Sequence, residues 1–167
     1  ALEGGRTLAF ASGMAAMSAV FGLLPKGSVV VASFNGYTGT KGLLQQLAAD
    51  ERIELRYVNV ANTEEVLEAL KGCNLFWLES PTNPAMEVAD MPLLIEAAKR
   101  CGSGVGVDNT FATALNQRPL DYGADISMNS VSKFIAGHSD IILGSLSISN
   151  DALFDRLNSA RMMQGAI

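Results

Sequence analysis

Lys133 closes the run Asp125-Ile126-Ser127-Met128-Asn129-Ser130-Val131-Ser132-Lys133, in which an apolar strand gives way to a polar Ser-x-Ser-Lys turn. An ammonium group at the end of a buried strand is disfavoured by desolvation. An amine held near neutrality, by contrast, condenses with a carbonyl group to form a Schiff base. The hydroxyls of Ser130 and Ser132 lie close by in sequence and are suited to hold a phosphate. Read without chemistry, the same string is a surface lysine on a turn after an edge strand.

Four other segments pair reactive side chains with strand ends. Ser12-Gly13-Met14 precedes a helical stretch rich in Ala and Met. Free N–H groups and the positive end of the helix dipole make such a start an anion site, and Gly13 lets an anion approach the backbone. Its plain reading is a helix cap. Asp108 follows Val105-Gly106-Val107, and a carboxylate buried there needs a partner, for which a protonated ring nitrogen is suited. Its plain reading is a turn residue. Tyr37 sits in a glycine-bounded turn that can lay its ring over a planar group. Asn83, close to Pro81 and Pro84, reads as fixed in a rigid extended turn, its amide free to bond a cofactor oxygen or a substrate carboxylate. Glu79 reads as an anchor for that loop, and His138 as a structural loop residue.

The elements that must position these residues alternate along the chain. Apolar runs predict strands over 7–11, 28–32, 54–58, 75–78, 104–107, 126–129 and 144–148. Val29-Val30-Val31 and Leu75-Phe76-Trp77-Leu78 are too apolar for half-exposed strands, so a sheet covered on both faces is expected. Helical patterns fall over 13–24, 40–49, 63–70, 92–101 and 152–163. Ser12 is the expected cap of the first, Thr63-x-x-Val66 a weak capping box for the third, and Pro92 a first-turn proline in the fourth. Such alternation with right-handed crossovers predicts a doubly wound α/β sheet. Ligands of these sheets bind beyond the carboxyl ends of the strands, where the polar residues above lie.

The 167 residues suffice for one domain, with 49% hydrophobic and 17% charged residues. A net charge of −5 without a basic cluster argues against nucleic acid as a partner. No apolar run is long enough for a membrane span, and no basic leader region opens the chain. Cys73 and Cys101 lack CxxC spacing and read as reduced thiols of a cytoplasmic protein, with no metal site expected. The first segment lacks G-x-G-x-x-G, which argues against a dinucleotide-binding domain.

Taken in order, Ser12-Gly13-Met14-Ala15-Ala16-Met17, Tyr37-Thr38-Gly39-Thr40, Glu79-Ser80-Pro81-Thr82-Asn83-Pro84, Asp108-Asn109-Thr110-Phe111-Ala112-Thr113, Ser130-Val131-Ser132-Lys133 and Gly137-His138-Ser139-Asp140 resemble the Cys/Met-metabolism family of pyridoxal 5'-phosphate (PLP) enzymes. That family includes cystathionine γ-synthase, the cystathionine lyases, methionine γ-lyase and the homoserine sulfhydrylases. The resemblance implies a three-layer α/β/α large domain of the aspartate-aminotransferase type (fold type I), with a mostly parallel seven-stranded sheet. It implies PLP linked to Lys133, its ring nitrogen paired with Asp108 and its ring stacked on Tyr37, which also moves protons. It implies the phosphate held at Ser12, Gly13 and Met14 and by Ser130 and Ser132, with Asn83 near the substrate carboxylate or the cofactor's ring oxygen. The expected activity makes or breaks a C–S bond at Cγ or Cβ of a small amino-acid substrate, in a cytoplasmic homo-oligomer built as a dimer of dimers.

Three positions depart from the family pattern. Thr38 replaces a glycine and is expected to move Tyr37 or narrow the entrance. Ala114 replaces a proline and is expected to loosen its loop. Gly39 stands where methionine γ-lyases carry cysteine, which leans away from them, and Phe111-Ala112-Thr113 followed by Leu115-Asn116-Gln117 resembles the γ-synthases; a γ-synthase or homoserine sulfhydrylase is therefore expected, with a γ- or β-lyase as the alternative. Residues 1–167 read as one domain, with the family's N-terminal arm and C-terminal domain, and their arginines, outside it. A PLP-binding fragment without turnover is therefore the alternative of a different class.

Overall fold

The computed structural model describes residues 2–166. Seven strands form one sheet: β1 (Arg6–Phe10), β2 (Ser28–Ser33), β3 (Ile53–Val58), β4 (Leu75–Glu79), β5 (Gly104–Asp108), β6 (Ile126–Ser130) and β7 (Gly144–Ile148). Between and after them lie α1 (Gly13–Gly22), α2 (Thr38–Ala49), α3 (Thr63–Ala69), α4 (Met91–Arg100), the short α5 (Thr113–Asn116) and α6 (Asp151–Gln164). The strand order is β1-β7-β6-β5-β4-β2-β3. β7 runs antiparallel to both its neighbours, and the other observed pairings are parallel.

Alternate residues of the central strands enter two separate cores, which is why these strands read as unbroken apolar runs. Val30, Ala32, Leu75 and Trp77 pack with α1 residues, Leu44 of α2 and Leu157 of α6. Val31, Phe76, Leu78, Val105 and Val107 pack on the other side with Val66 of α3 and Leu94 and Ile95 of α4. The result is the expected three-layer α/β/α arrangement. Trp77 is the largest fully buried side chain and meets Phe21 edge-on at 4.9 Å. It is paired in register with Gly106, where a Cβ would come within 2.6 Å of the indole.

The caps show where local chemistry decided the boundaries. Ser12 caps α1, its Oγ accepting from Ala15 N at 3.1 Å. The predicted capping box at Thr63 is corrected by one residue: Asn62 caps α3, its Oδ1 accepting from Glu65 N, whereas Val66 has no side-chain acceptor to return to Thr63 N–H. Pro92 lies in the first turn of α4, which Asp90 caps. No helix among the described residues is long and apolar enough to cross a membrane. Cys73 is buried, Cys101 is exposed, and both are free.

The start of α1 is pressed against β7. A Cβ on Gly144 would lie 2.2 Å from the Ser12 carbonyl oxygen and 2.7 Å from Gly13 N, both backbone atoms that cannot rotate away. Gly144→Ala should therefore destabilise the chain by about 1–3 kcal/mol, the range for overpacking. Urea unfolding monitored by circular dichroism measures this, and an unchanged midpoint would show that the start of α1 yields freely.

Candidate active site

The carboxyl ends of β1, β2, β4, β5 and β6 share one rim because these strands point the same way. One cavity of about 280 Å³ opens there. It is lined by Ser12, Gly13, Met14, Tyr37, Asn83, Asp108, Ser130, Ser132 and Lys133, together with Glu79, Thr110 and several apolar residues. The residues singled out in sequence thus converge. His138 is exposed, bonds the Ala136 carbonyl and lies outside the lining.

At one end the cavity meets the start of α1. Ala15 N–H and Ala16 N–H are satisfied by Ser12, whereas Gly13 and Met14 lie too early in the helix to have intrahelical acceptors. Gly13 is fitted against β6: a Cβ there would stand 2.9 Å from Met128 Cε and 3.4 Å from Ser130 Oγ. The missing Cβ leaves room beside two free amides and a hydroxyl, which is a cradle for an anion. Ser132 is engaged differently from the sequence expectation. Its Oγ donates to the Leu143 carbonyl at 3.2 Å and accepts from Leu143 N at 2.8 Å. Its single proton is therefore committed, and it can donate to a phosphate only by releasing Leu143.

The same Ser132–Leu143 pairing closes the neck of the loop over 131–143, and Lys133 stands at that neck. Strand β6 ends at Ser130, and Lys133 N bonds back to the Ser130 carbonyl at 3.0 Å. The turn carries the lysine out of the sheet, so its side chain is exposed at the cavity edge. The sequence places Lys133 at a buried strand end; the structure places it three residues beyond β6 and exposed.

Deeper in, two carboxyl groups end adjacent strands in register, Glu79 on β4 and Asp108 on β5. They are 6% and 7% exposed. Burial pushes the Asp108 carboxyl above the usual carboxylate range, against the two bonds that Oδ1 accepts from Thr110 N (3.0 Å) and Oγ1 (2.6 Å). Such a group gains from a cation brought next to it. Burial, and then the neighbouring Asp108, push Glu79 up to about 7, although it accepts from Tyr37 N at 2.7 Å and Asn83 N at 2.8 Å.

Sequence reasoning missed Thr110. Its Oγ1 donates to Asp108 and accepts from Ser130 N at 2.9 Å, so one hydroxyl joins the carboxylate end of the cavity to the anion cradle. The available signal was Asp-x-Thr, an Asp side chain bonding a backbone N–H two residues on. Two expected departures fall elsewhere. Thr38 is exposed at the start of α2 and is not among the lining residues, so it does not narrow the cavity. Ala114 lies inside α5, which is held by Thr113 N to Asn109 O and Asn116 Nδ2 to Ala112 O. The Asn83 segment is a closed turn and not an extended one. Met86 N and Glu87 N both bond back to Thr82, whose own N–H bonds the Glu87 carbonyl.

A second hollow of about 400 Å³ lies between α1, α4 and α6 at the opposite rim, edged by Lys99, Asp125 and Arg156. Lys99 is already paired with Asp125 at 2.8 Å. It lacks the paired strand-end carboxyl groups.

A three-layer fold carrying a lysine, a buried carboxyl group and an anion cradle on its carboxyl rim has the architecture of fold type I PLP enzymes. The model for the family described as Cys/Met metabolism PLP-dependent enzyme matches residues 1–167, and the chain belongs to that family. A probable cystathionine gamma-synthase of Herpetosiphon aurantiacus is 36% identical over 166 residues, covering 99% of this chain and 52% of that protein. A chloroplastic cystathionine beta-lyase of Arabidopsis thaliana is 41% identical over 149 residues, covering 89% of this chain and 32% of that protein. The solved cystathionine gamma synthase of Xanthomonas oryzae pv. oryzae, in complex with aminoacrylate and cysteine, superposes with a TM-score of 0.95 at 32% identity. That match covers 99% of this chain and 43% of that one. The chain thus spans about half the length, or less, of these relatives.

The residues present fit the family's cofactor: the Gly13–Ser130 cradle suits a phosphate, and Asp108 suits a ring cation. The raised Glu79 also makes a stability prediction. A carboxyl group moved from 4.5 to about 7 contributes stability that is fully present below 4.5 and is lost as pH rises through 7. Glu79→Gln carries no such charge. Its unfolding free energy relative to the parent should rise between pH 4.5 and 8, by at most roughly 3 kcal/mol. Denaturant titrations at both pH values measure this, and a gap independent of pH would contradict the shift.

Proposed function

We propose that the chain is the cofactor-binding large domain of a PLP-dependent enzyme that makes or breaks a C–S bond at Cγ or Cβ of a sulfur amino acid or homoserine ester. One observation carries this reading: Lys133, Asp108 and the Gly13–Ser130 cradle open into a single cavity. Bound PLP supplies an electron sink for charge developed at the substrate α-carbon.

The residues divide the remaining work. Lys133 is the amine for the cofactor carbonyl and, at other stages, the base for the α-proton, its backbone held at the loop neck while its side chain stays exposed. Asp108 meets the ring nitrogen with a carboxylate that Thr110 orients. The Gly13 and Met14 amides and the Ser130 hydroxyl donate to the phosphate. Ser12 keeps a hydroxyl proton while capping α1 and can join them. Tyr37 covers the ring face and serves proton movement near the leaving group, and Asn83 supplies an amide to the substrate carboxylate.

Within this chemistry we place a γ-synthase or homoserine sulfhydrylase first. Gly39 argues against a methionine γ-lyase, which carries cysteine there: a Cβ would lie 2.5 Å from Tyr37 Cε1 and 2.7 Å from Met14 Sδ, so a larger residue would displace one of these side chains. The second reading, a PLP-binding domain without turnover of its own, is favoured by the cavity lining. Lys133 is the only cation among its described residues, so an arginine for the substrate carboxylate must come from another segment or subunit. A homo-oligomer, built as a dimer of dimers, accords with the exposed Phe134, Ile135, Ile141 and Ile142 beside the site. A cytoplasmic setting accords with the two free cysteines.

Borohydride trapping tests the reading. The chain is mixed with PLP, reduced and mapped by peptide mass. One pyridoxyl adduct at Lys133, lost in Lys133→Ala, is the expected result. Labelling scattered over the other lysines, or none, contradicts it.

A further inference from the structure

Glu79 has no assigned task in the chemistry above, yet it is buried, charged when ionised, and bonded through both oxygens to two different segments of the cavity wall. Its own N–H donates to Ser33 Oγ at 3.1 Å, which ties the end of β4 to the end of β2 one step past their ladder. Gly36 makes room for it, since a Cβ there would stand 3.1 Å from Glu79 Oε2 and 3.2 Å from the Ser33 carbonyl.

The two segments it holds are those bearing Tyr37 and Asn83. Helix α2 begins at Tyr37 with no side-chain cap and no acidic residue in its first turn. Glu79 supplies what that helix start lacks: an acceptor for its first N–H and, when ionised, a negative group at the positive end of its dipole. The other oxygen accepts from Asn83 N within the turn that Thr82 closes. We infer that Glu79 is a positioning residue, a two-armed clamp that fixes the separation of Tyr37 and Asn83 so that both address one ligand.

A catalytic role is disfavoured because both oxygens already accept hydrogen bonds. An ionised carboxylate offers lone pairs on both arms, whereas a glutamine turns one arm into a donor that faces another N–H. The clamp rests on the proposed reading of the cavity for its ligand, but its geometry is testable without one.

Amide hydrogen exchange of the full chain, read by NMR, is the test. In Glu79→Gln the Tyr37 or Asn83 amide should exchange about tenfold faster or more, the scale of losing a hydrogen bond to a charged group. Amides inside the ladder, such as Phe76 and Val107, should keep their parent rates. Glu79→Asp, shorter by one methylene, should lose one arm and not the other, and serves if the glutamine variant does not fold. With PLP bound, the induced circular dichroism of the cofactor should fall in both variants. Unchanged exchange at Tyr37 and Asn83, or an equal acceleration at every strand, overturns the clamp. Failure of the unsubstituted chain to bind PLP would overturn the cofactor reading alone, leaving the exchange result to decide the clamp.

Discussion

Glu79 and Asp108 stand side by side because β4 and β5 are parallel and in register, and the layers above and below withdraw both groups from water. Two carboxyl groups in such a place oppose each other's ionisation, and each needs donors or a cation to hold a charge. The surrounding polar residues supply those donors. Thr110 turns back on Asp108, and the backbones of Tyr37 and Asn83 turn onto Glu79. The walls of the cavity are thus shaped by solvating two buried acids. Both acids would gain from a cation brought beside them.

The anion end follows from different physics. Helix α1 begins one residue after Ser12, is capped by it, and lies close to β6 and β7 at two glycines: Gly144, where backbone leaves no room for a side chain, and Gly13, where one would have to displace Met128. Close approach puts unbonded amides beside the Ser130 hydroxyl. Thr110 then links this end to Asp108 through a single hydroxyl that both donates and accepts. The distance between cradle and carboxylate is therefore set by one side chain bridging β5 and β6. Lys133 is reached last, on a turn whose neck is closed by Ser132 and Leu143. A fixed neck with an exposed amine suits a residue that must form and release a bond.

Much of this was legible in the sequence, for reasons that differ by residue. The central strands showed because two-sided burial demands continuous apolar runs such as Leu75-Phe76-Trp77-Leu78, all of them buried. Ser12 and Pro92 marked helix starts through chemistry that acts within one turn. The neighbours of each strand were not legible, since order depends on long-range pairing. The reversal of β7 has a local cause all the same: no helix separates it from β6, so the chain returns from the rim it has just reached. Contacts made across the chain escaped entirely. The bonds between Ser132 and Leu143 were not legible, and Lys133 looked buried until its turn was seen to leave the sheet. Glu79 was readable as an anchor, but not as one acid reaching two segments.

The central claim is that one rim of the sheet holds PLP, phosphate at the start of α1 and ring towards Asp108. A crystal structure of the chain grown with PLP tests it most directly. The account predicts phosphate density against Gly13, Met14 and Ser130, with the ring continuing towards Asp108 and Lys133. Phosphate density in the opposite hollow beside Lys99 and Arg156, or a ring turned with its nitrogen away from Asp108, would contradict it.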